Sequence, residues 1–428
     1  MNKRWIQFGS ALVAMIMIAN LQYAWTLFVQ PMQQATHWRL SDIQYGLALF
    51  LLFETWITPI EGWLIDRLGP RLFLSLGGIL VGVGWTGLGF ITSLKELYVL
   101  YSIAGIGAAF IYSGSVATAL KWFPDKRGTV SGFITAGFGA GAALFIPLIS
   151  YLIRAQSYNK AFLYTGIGQG VLILIAAQFL TNPGKDVNFA KVARKEPSPS
   201  VRRNTGQFSS WEMLRTPHFY LLYVTFVLIS VGGLMLTAQA NPVARSFAIP
   251  AAALTYALSI SRLANGGGRI FWGWISDRIG REMAMLIPFV LQAFSLIAML
   301  KVGRISGTWF TVSMMLVFFI WGSMFSLFPA IIGDYFGANN ATSNYGFLYT
   351  AKGVASIGGA YVAAKIFERF GNWDAVFQWS AGLAMVSGVL ILIVRAMPLP
   401  APRRLDAMAG EPSAAPVLGV RDPLLDRR

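Results

Sequence analysis

The sequence of 428 residues contains no cysteine and only two histidines, His37 and His218. The lack of cysteine excludes disulfide bonds, thiol nucleophiles and cysteine-ligated metals. Neither histidine has a partner at the spacing of a metal site, so no metal is expected and both histidines are predicted at solvated or interfacial positions. The chain also lacks hydrolase, phosphate-loop and dinucleotide signatures, which argues against an enzyme and against a bound cofactor.

Charged residues are scarce as well, at 12% of the chain, whereas hydrophobic residues make up 55%. A soluble globular chain is about 25% charged, and a membrane-spanning helix needs about 20 apolar residues. The pattern predicts an all-α membrane protein whose first apolar run is too long for a secretory signal and stays as a span. Twelve transmembrane helices are predicted near residues 6–29, 43–64, 72–92, 97–120, 129–151, 161–180, 218–240, 251–274, 283–301, 309–332, 345–366 and 374–396.

The charges that are present are unevenly placed, with a net charge of +16. If both chain ends face the cytoplasm, 22 of the lysines and arginines fall on that side, 9 on the other and 3 inside the spans. This asymmetry is the positive-inside pattern, and it predicts cytoplasmic termini in the inner membrane of a cell. The basicity therefore indicates a lipid bilayer as the surroundings, and no nucleic-acid partner is expected.

One charged phrase occurs twice, as GWLIDRLGPR from Gly62 to Arg71 and as GWISDRIGR from Gly273 to Arg281. The aspartates of the two copies, Asp66 and Asp277, are 211 residues apart. Because each repeat holds an even number of spans, both copies insert in the same orientation, as two bundles related by an axis along the membrane normal.

The repeat predicts the domain organisation of the chain. We expect two six-helix bundles at residues 1–180 and 216–397. Residues 181–215 contain no apolar run and predict a flexible cytoplasmic linker, and the tail at residues 398–428 is predicted to be cytoplasmic and disordered.

Twelve spans in two parallel repeats, with the G-x3-D-R-x-G-x-R phrase, resemble the major facilitator superfamily. Residues 5–397 share this resemblance, and within them five segments resemble the oxalate:formate antiporter family more closely. These are QYAWTLF (Gln22–Phe28), KWFPDKRG (Lys121–Gly128), NGGGRIFWGWISDRIGR (Asn265–Arg281), FFIWGS (Phe318–Ser323) and NYGFLYTAK (Asn344–Lys352). The resemblance implies the major facilitator fold and a monomeric secondary carrier of small carboxylate anions. It would exchange a dicarboxylate such as oxalate for a monocarboxylate such as formate by alternating access.

Charges inside spans are candidates for function, because a charge at the bilayer centre costs at least about 2.5–3.5 kcal/mol on insertion scales. Arg262 and Arg269 lie on span eight, Lys352 on span eleven and Glu54 on span two. Arg269 and Lys352 match uncharged residues of the first repeat, so the fold itself does not require them. The resemblance implies that these two bases line the central cavity and bind the anion, arginine through its planar fork and lysine as a point charge.

Aromatic residues of both halves enclose the substrate in the antiporter family. The matching residues here are Tyr23, Trp25, Tyr112, Trp321, Phe325 and Tyr349, with Gln44 and Phe138 nearby. The pattern implies tyrosine at Phe138 and Phe325 and tryptophan at Tyr349. These departures leave the anion class as expected and the identity of the anion open.

Glu54 and Arg262 are charged where the family pattern implies uncharged polar residues, and we interpret them as counter-ion or proton sites. A carboxylate in mid-span must be paired or protonated, and Lys352 and Arg262 are both candidate partners for Glu54. If Glu54 titrates, the alternative function is a proton-coupled monocarboxylate symporter. A third hypothesis is a non-transporting anion sensor, which the lack of a recognisable signalling segment disfavours.

Acids and bases at the cytoplasmic helix ends predict a gate. They would pair with the neighbouring half while the carrier faces outward and separate when it opens inward. The alternative is a loop that only satisfies helix ends. The candidate residues are Asp66, Arg67, Arg71, Asp277, Arg278, Arg281 and Glu61.

Overall fold

A computed structural model describes residues 3–123, 127–183, 201–204, 206–337 and 340–401, without the side chains of residues 62, 63, 66, 67, 127–129, 131 and 342. The described residues form helices and no strand. The first half holds α1 (Lys3–Tyr23), α2 (Thr26–Thr36), α3 (Leu40–Trp56), α4 (Thr58–Gly87), α5 (Leu94–Trp122), α6 (Arg127–Ala155) and α7 (Tyr158–Gln178). The second half holds α8 (Ser210–Leu214), α9 (Pro217–Ser246), α10 (Ala251–Ile279), α11 (Arg281–Val302), α12 (Gly307–Trp321), α13 (Met324–Phe336), α14 (Ala341–Ser356), α15 (Ala363–Phe370) and α16 (Asp374–Ala396), with a π-helical segment, Ile357–Val362, between α14 and α15.

Ten helical segments of the described chain are long and apolar enough to cross a membrane. They match ten of the twelve predicted spans. The other two, 251–274 and 345–366, fall on α10 and on α14 with its π-helical segment, and both carry buried bases. The all-helical prediction is confirmed, and membrane-spanning length and hydropathy are confirmed for ten of the twelve helices.

The repeated phrase marks a repeated backbone turn. Gly69 of the first copy has φ 74° and ψ 159°, and Gly280 of the second has φ 89° and ψ 159°. An L-residue with a side chain rarely adopts this conformation, so glycine is required at both points. Gly280 separates α10 from α11, and Gly69 interrupts α4 with a kink. The common phrase therefore has a common structural cause.

Short connections place the helix ends on two opposite faces of the protein. We call the face that carries loops 37–39, 247–250 and 371–373 the Glu368 face, because Glu368 lies near the end of α15. The opposite face carries the turns at Gly69, Gly280 and Gly337, and we call it the Gly280 face.

The two halves pack through two pairs of long helices, α3 with α14 and α6 with α10. Small residues lie at both contacts, where Gly266 faces Ala140 and Gly353 faces Thr55. These helices correspond to spans two with eleven and five with eight. Small side chains let helix backbones approach closely without interlocking, which suits surfaces that must move past each other.

The glycines of the NGGGR segment offer a matched test of this packing. A Cβ at Gly268 would collide with the backbone carbonyl oxygen of Phe319 on α12, whereas a Cβ at Gly267 would meet nothing within 4 Å. Overpacking of this kind costs about 1–3 kcal/mol, so Gly268→Ala is expected to lower the thermal denaturation midpoint of the purified protein. Gly267→Ala is the control and should leave the midpoint unchanged or slightly raised. Equal midpoints in the two variants would contradict this account.

The linker is more ordered than predicted. Arg202 donates from Nη1 to the carbonyl of Arg395 and from Nη2 to that of Met397, both at 2.8 Å. The backbone N–H of Phe208 donates to the carbonyl of Phe336 at 2.9 Å. The expectation of a flexible tether is therefore wrong for the described residues from 201 to 215, because a guanidinium is stabilised by the free carbonyls at the end of α16.

Part of the tail is also held in place. His218 is buried, and its Nε2 lies 2.8 Å from the carbonyl oxygen of Pro398, so the solvated alternative for His218 is wrong, and its interfacial position at the start of a span stays a prediction. The side chain of Asn204 donates to the carbonyl of Pro400 at 2.5 Å. The rest of the predicted tail, from residue 402, and linker residues 184–200 lie outside the described residues.

Candidate functional site

A cluster of largely buried side chains lies between the two halves, and seven of the predicted site residues meet in it; we call this cluster the chamber. Its two bases, Arg269 and Lys352, come from the second half and have exposed fractions of 3% and 0%. Rings of both halves surround them. The chamber residues are Arg269, Lys352, Tyr23, Tyr112, Phe138, Phe325 and Tyr349.

Arg269 reaches from α10 into the first half. Its Nη1 donates to the backbone carbonyl of Thr135 at 3.0 Å, and its Nη2 lies 3.4 Å from the hydroxyl of Tyr23. Asn265, one turn earlier on α10, accepts from Nη2 at 3.1 Å. The guanidinium also lies 4.2 Å from the ring centre of Phe325. Its Nε has no hydrogen-bond partner among the described residues, so the group keeps a free donor.

Lys352 is the partner of Glu54. Its Nζ lies 2.8 Å from Glu54 Oε2, and it also donates to Gln22 Oε1 at 3.0 Å and to the Tyr349 hydroxyl at 3.2 Å. An ammonium group has three donors, so Lys352 is fully satisfied in this conformation. Glu54 is itself buried, at 1% exposure, and the ion pair joins the two halves.

Arg262 is the third base of the region and is completely buried. Its guanidinium carbon lies 3.8 Å from the ring centre of Phe318 and 4.6 Å from that of Tyr23. Its Nε, Nη1 and Nη2 have no hydrogen-bond acceptor in the described part of the chain. The prediction of Arg262 as a partner of Glu54 is therefore wrong, because Lys352 takes that place.

Aromatic contacts close the chamber from both halves. Tyr112 of the first half stacks on Tyr349 of the second, with ring centres 5.8 Å apart. Phe138 lies 5.3 Å from Tyr23 and 5.4 Å from Tyr112, all in the first half. These rings leave the bases in surroundings of low polarity, where an ionic contact is stronger than in water.

Trp321 touches the chamber through Phe325, with ring centres 5.1 Å apart. The other two predicted residues lie outside the chamber, in a layer toward the Glu368 face. Gln44 donates across the halves to the carbonyl of Ala238 at 2.7 Å, and its Oε1 accepts from Trp25 Nε1 at 3.2 Å. These two residues therefore form a seal rather than a lining of the chamber.

A further contact between the halves lies at the Glu368 face. Glu368 Oε1 accepts from the backbone N–H of Ser41 at 2.8 Å, and Oε2 accepts from its hydroxyl at 3.1 Å. Ser41 is in the first turn of α3, where backbone N–H groups lack helical acceptors. A carboxylate of the second half thus caps a helix of the first half and holds this face closed. Beside it, a cleft of about 760 Å³ is lined by residues that include Arg39 and Arg245.

The predicted gate residues on the Gly280 face contact partners within their own halves in this structure. Arg281 pairs with Asp277 and with Asp334, both at 2.7 Å, and all three residues belong to the second half. Glu61 accepts a hydrogen bond from Ser113 within the first half. None of these contacts joins the two halves in this structure, in which the Glu368 face is held closed. The ion pairs expected between the halves in an outward-facing state stay a prediction.

The remaining gate residues contribute less. Arg278 lies over the ring of Trp274 at 3.6 Å, one turn earlier on its own helix, and Arg71 is exposed at the start of span three. The side chains of Asp66 and Arg67 lie outside the described residues.

Three residues that hold the bases, Gln22, Asn265 and Thr135, were not predicted as site residues, and neither was Gln239, which holds Gln44. Gln22 and Asn265 lie inside the segments QYAWTLF and NGGGR. The sequence therefore marked their segments as family-like but did not indicate that their side chains bind the bases. Thr135 contributes a backbone carbonyl, which no residue type reveals. Gln239 links Gln44 at 3.2 Å to the carbonyl of Ala360 in the π-helical segment at 2.8 Å.

Comparisons with known proteins agree with this architecture. A family model described as the Major Facilitator Superfamily matches residues 10–360 and 226–425. The chain is 36% identical over 394 residues to the oxalate:formate antiporter of Oxalobacter formigenes, a match that covers 92% of each chain. It is 25% identical over 396 residues to apicoplast pyruvate carrier 1 of Toxoplasma gondii, covering 78% of this chain and 71% of that one. It is 22% identical over 364 residues to monocarboxylate transporter 12 of Homo sapiens, covering 79% and 70%.

Proposed function

This chain belongs to the major facilitator superfamily and, within it, to the oxalate:formate antiporter family, and we propose that it exchanges small carboxylate anions across a membrane by alternating access. The proposed exchange is of a dicarboxylate such as oxalate for a monocarboxylate such as formate. The observation that carries this proposal is the buried cluster between the halves, in which bases of one half bind groups of the other.

The anion is proposed to bind at Arg269. The free Nε and the planar guanidinium suit a carboxylate, and the rings of Phe325 and Tyr112 exclude water around it. Lys352 is the second base implied by the resemblance, and it becomes available only when Glu54 releases it. Because both bases bind partners in the first half, an anion in the chamber competes for contacts that hold the halves together.

Two gates of different construction bound this chamber. On the Glu368 face, Gln44 and Glu368 make hydrogen bonds between the halves, and these must break for the chamber to open there. On the opposite side, the Tyr112–Tyr349 stack lies between the chamber and the Gly280 face. The smooth contacts of α3 with α14 and of α6 with α10 would serve as the surfaces about which the halves rock.

A proton-coupled monocarboxylate symporter is the second candidate, and the Glu54–Lys352 pair favours it. A proton on Glu54 would release Lys352, which then offers a charge to a monocarboxylate. In that case the proton and the anion would bind together and cross together. The relatives named as a pyruvate carrier and a monocarboxylate transporter are consistent with this alternative.

Uptake into liposomes separates the two candidates. We expect the purified protein to take up labelled oxalate many times faster into liposomes loaded with formate than into empty ones. For a symporter, empty liposomes would fill when protons are driven inward, and Glu54→Gln would abolish that dependence. Uptake in neither case would overturn both proposals.

The orientation is part of the same proposal. The excess of lysine and arginine on the Gly280 face favours cytoplasmic termini in the inner membrane. In the same proposal, α10 and α14 complete twelve spans in two six-helix bundles, and the chain acts as a monomer. Because the native chain has no cysteine, a single cysteine placed at the C-terminal end reports its side directly. Its reaction with an impermeant reagent outside intact cells would reverse this orientation.

A further inference from the structure

The hydrogen-bond donors of the chamber are unequally used. Lys352 donates to three acceptors and has no donor left. Arg269 retains its Nε, and Arg262 retains Nε, Nη1 and Nη2. The unused capacity for an anion therefore lies on the two arginines and not on the lysine.

Aromatic rings contact the flat faces of the Arg262 guanidinium, but the N–H groups at its edge have no hydrogen-bond acceptor among the described residues. The rings of Phe318 and Tyr23 lie against the guanidinium at 3.8 Å and 4.6 Å, and such contacts stabilise the charge through the flat faces. The N–H groups point outward in the plane of the guanidinium, and this edge is the one that binds carboxylates. A buried cation with an unused edge is expensive unless it has a ligand.

The two arginines are placed to act on one ligand. They are seven residues apart on α10, about 10.5 Å along the helix axis and on the same side of it. Both also contact the same tyrosine, Arg262 at the ring and Arg269 at the hydroxyl of Tyr23. The two arginine side chains, two helical turns apart, thus converge on the two ends of the Tyr23 side chain.

The charge balance points the same way. Glu54 is the counter-charge of Lys352, so the two arginines remain without an acid partner among the described residues. Two uncompensated cations in buried aromatic surroundings repel each other, and a dianion cancels both charges. A monoanion cancels only one.

We propose that Arg262 binds the second carboxylate of a dicarboxylate whose first carboxylate binds Arg269, while Glu54 withdraws Lys352 from that role. This inference rests on the proposed function, because it names the substrate class of the same site. Arg262 then determines specificity, favouring dicarboxylates over monocarboxylates.

The test compares Arg262→Gln with the parent in liposomes, in oxalate/oxalate and formate/formate exchange. Loss of a charge-assisted contact is expected to raise the half-saturating oxalate concentration about tenfold or more, with little change for formate. Arg262→Lys keeps the charge and loses the fork, so it should lie between the two. Arg304→Gln is the matched control, because Arg304 is a half-exposed arginine of the same half, paired with Asp374 outside the chamber.

A stability measurement separates ligand binding from a structural role. Without anion, Arg262→Gln should denature at or above the temperature of the parent, because it removes a buried charge without hydrogen bonds. Oxalate should stabilise the parent and not the variant. A lower midpoint with equal loss of both exchanges would overturn the proposal, as would unchanged oxalate exchange.

Two further outcomes are also decisive. The parent could saturate cooperatively with formate, and Arg262→Gln could abolish that cooperativity. This result would show that two monocarboxylates bind at once, and it would contradict a site for a single dicarboxylate. If the parent exchanges neither oxalate nor formate, the proposed substrate pair fails, and the comparison passes to malonate and acetate. There, only a loss selective for malonate supports Arg262, and an equal effect on both anions overturns it.

Discussion

Arg269→Lys is expected to reduce anion exchange by about a hundredfold, although the positive charge is kept. A lysine in this position cannot reproduce the planar fork, and each lost charge-assisted contact costs about 1.5–3 kcal/mol, or about tenfold to a hundredfold in affinity. The variant also loses the contacts to Thr135 and Tyr23, which tie α10 to the first half. Exchange of labelled anion in liposomes measures the effect.

The control for this variant is again Arg304→Gln, which removes a positive charge far from the chamber and should exchange like the parent. Both proteins should elute as single species from size exclusion in detergent, which shows that folding is retained. Near-parental exchange in Arg269→Lys would mean that charge alone suffices, and Arg269 would lose its assignment as the primary anion site.

Removing either partner of the Glu54–Lys352 pair should strongly destabilise the protein. Both side chains are buried, and breaking such a pair leaves an uncompensated charge, at a cost of about 3–5 kcal/mol. Glu54→Gln and Lys352→Gln are each expected to lower the thermal denaturation midpoint. The double variant carries no buried charge at this point and should recover most of the loss.

The double variant measures the coupling between Glu54 and Lys352, which the two single variants alone do not give. If the effects of Glu54→Gln and Lys352→Gln simply add, the two groups do not depend on each other, and the ion pair is not a unit of the closed state. A midpoint for Glu54→Gln equal to that of the parent would indicate that Glu54 is already protonated. That result would favour the symporter over the antiporter.

Much of the fold was predictable because hydropathy and the duplicated phrase are properties of the sequence itself. The apolar runs marked the positions of the helices but not the breaks at residues 24–25 and 322–323. Ten of the runs match helical segments with the length and hydropathy of spans. The linker was not predictable in the same way. Arg202 and Phe208 occur in a polar stretch, and only the folded second half supplies the carbonyls of Met397 and Phe336 that order them.

The candidate site was predictable in its residues and not in its pairings. A charge within a span is rare enough to be noticed, and so Arg262, Arg269, Lys352 and Glu54 stood out. Which acid meets which base depends on how helices from distant parts of the chain face each other. The partners of Trp25 and of Arg281 were not predictable for the same reason, since a residue near a helix end has several candidate neighbours and sequence spacing does not rank them.

Because Glu368 caps α3, one backbone amide reports the opening of the Glu368 face. The N–H of Ser41 has Glu368 as its acceptor, and near the start of a helix it has no acceptor behind it in the chain. Each opening of the Glu368 face would expose this amide to water and allow its hydrogen to exchange with solvent deuterium. The hydrogen-exchange rate of the Ser41 amide therefore measures how often the Glu368 face opens, without any label on the protein. If an added anion changes this rate, the anion acts on the step of the cycle in which the Glu368 face opens.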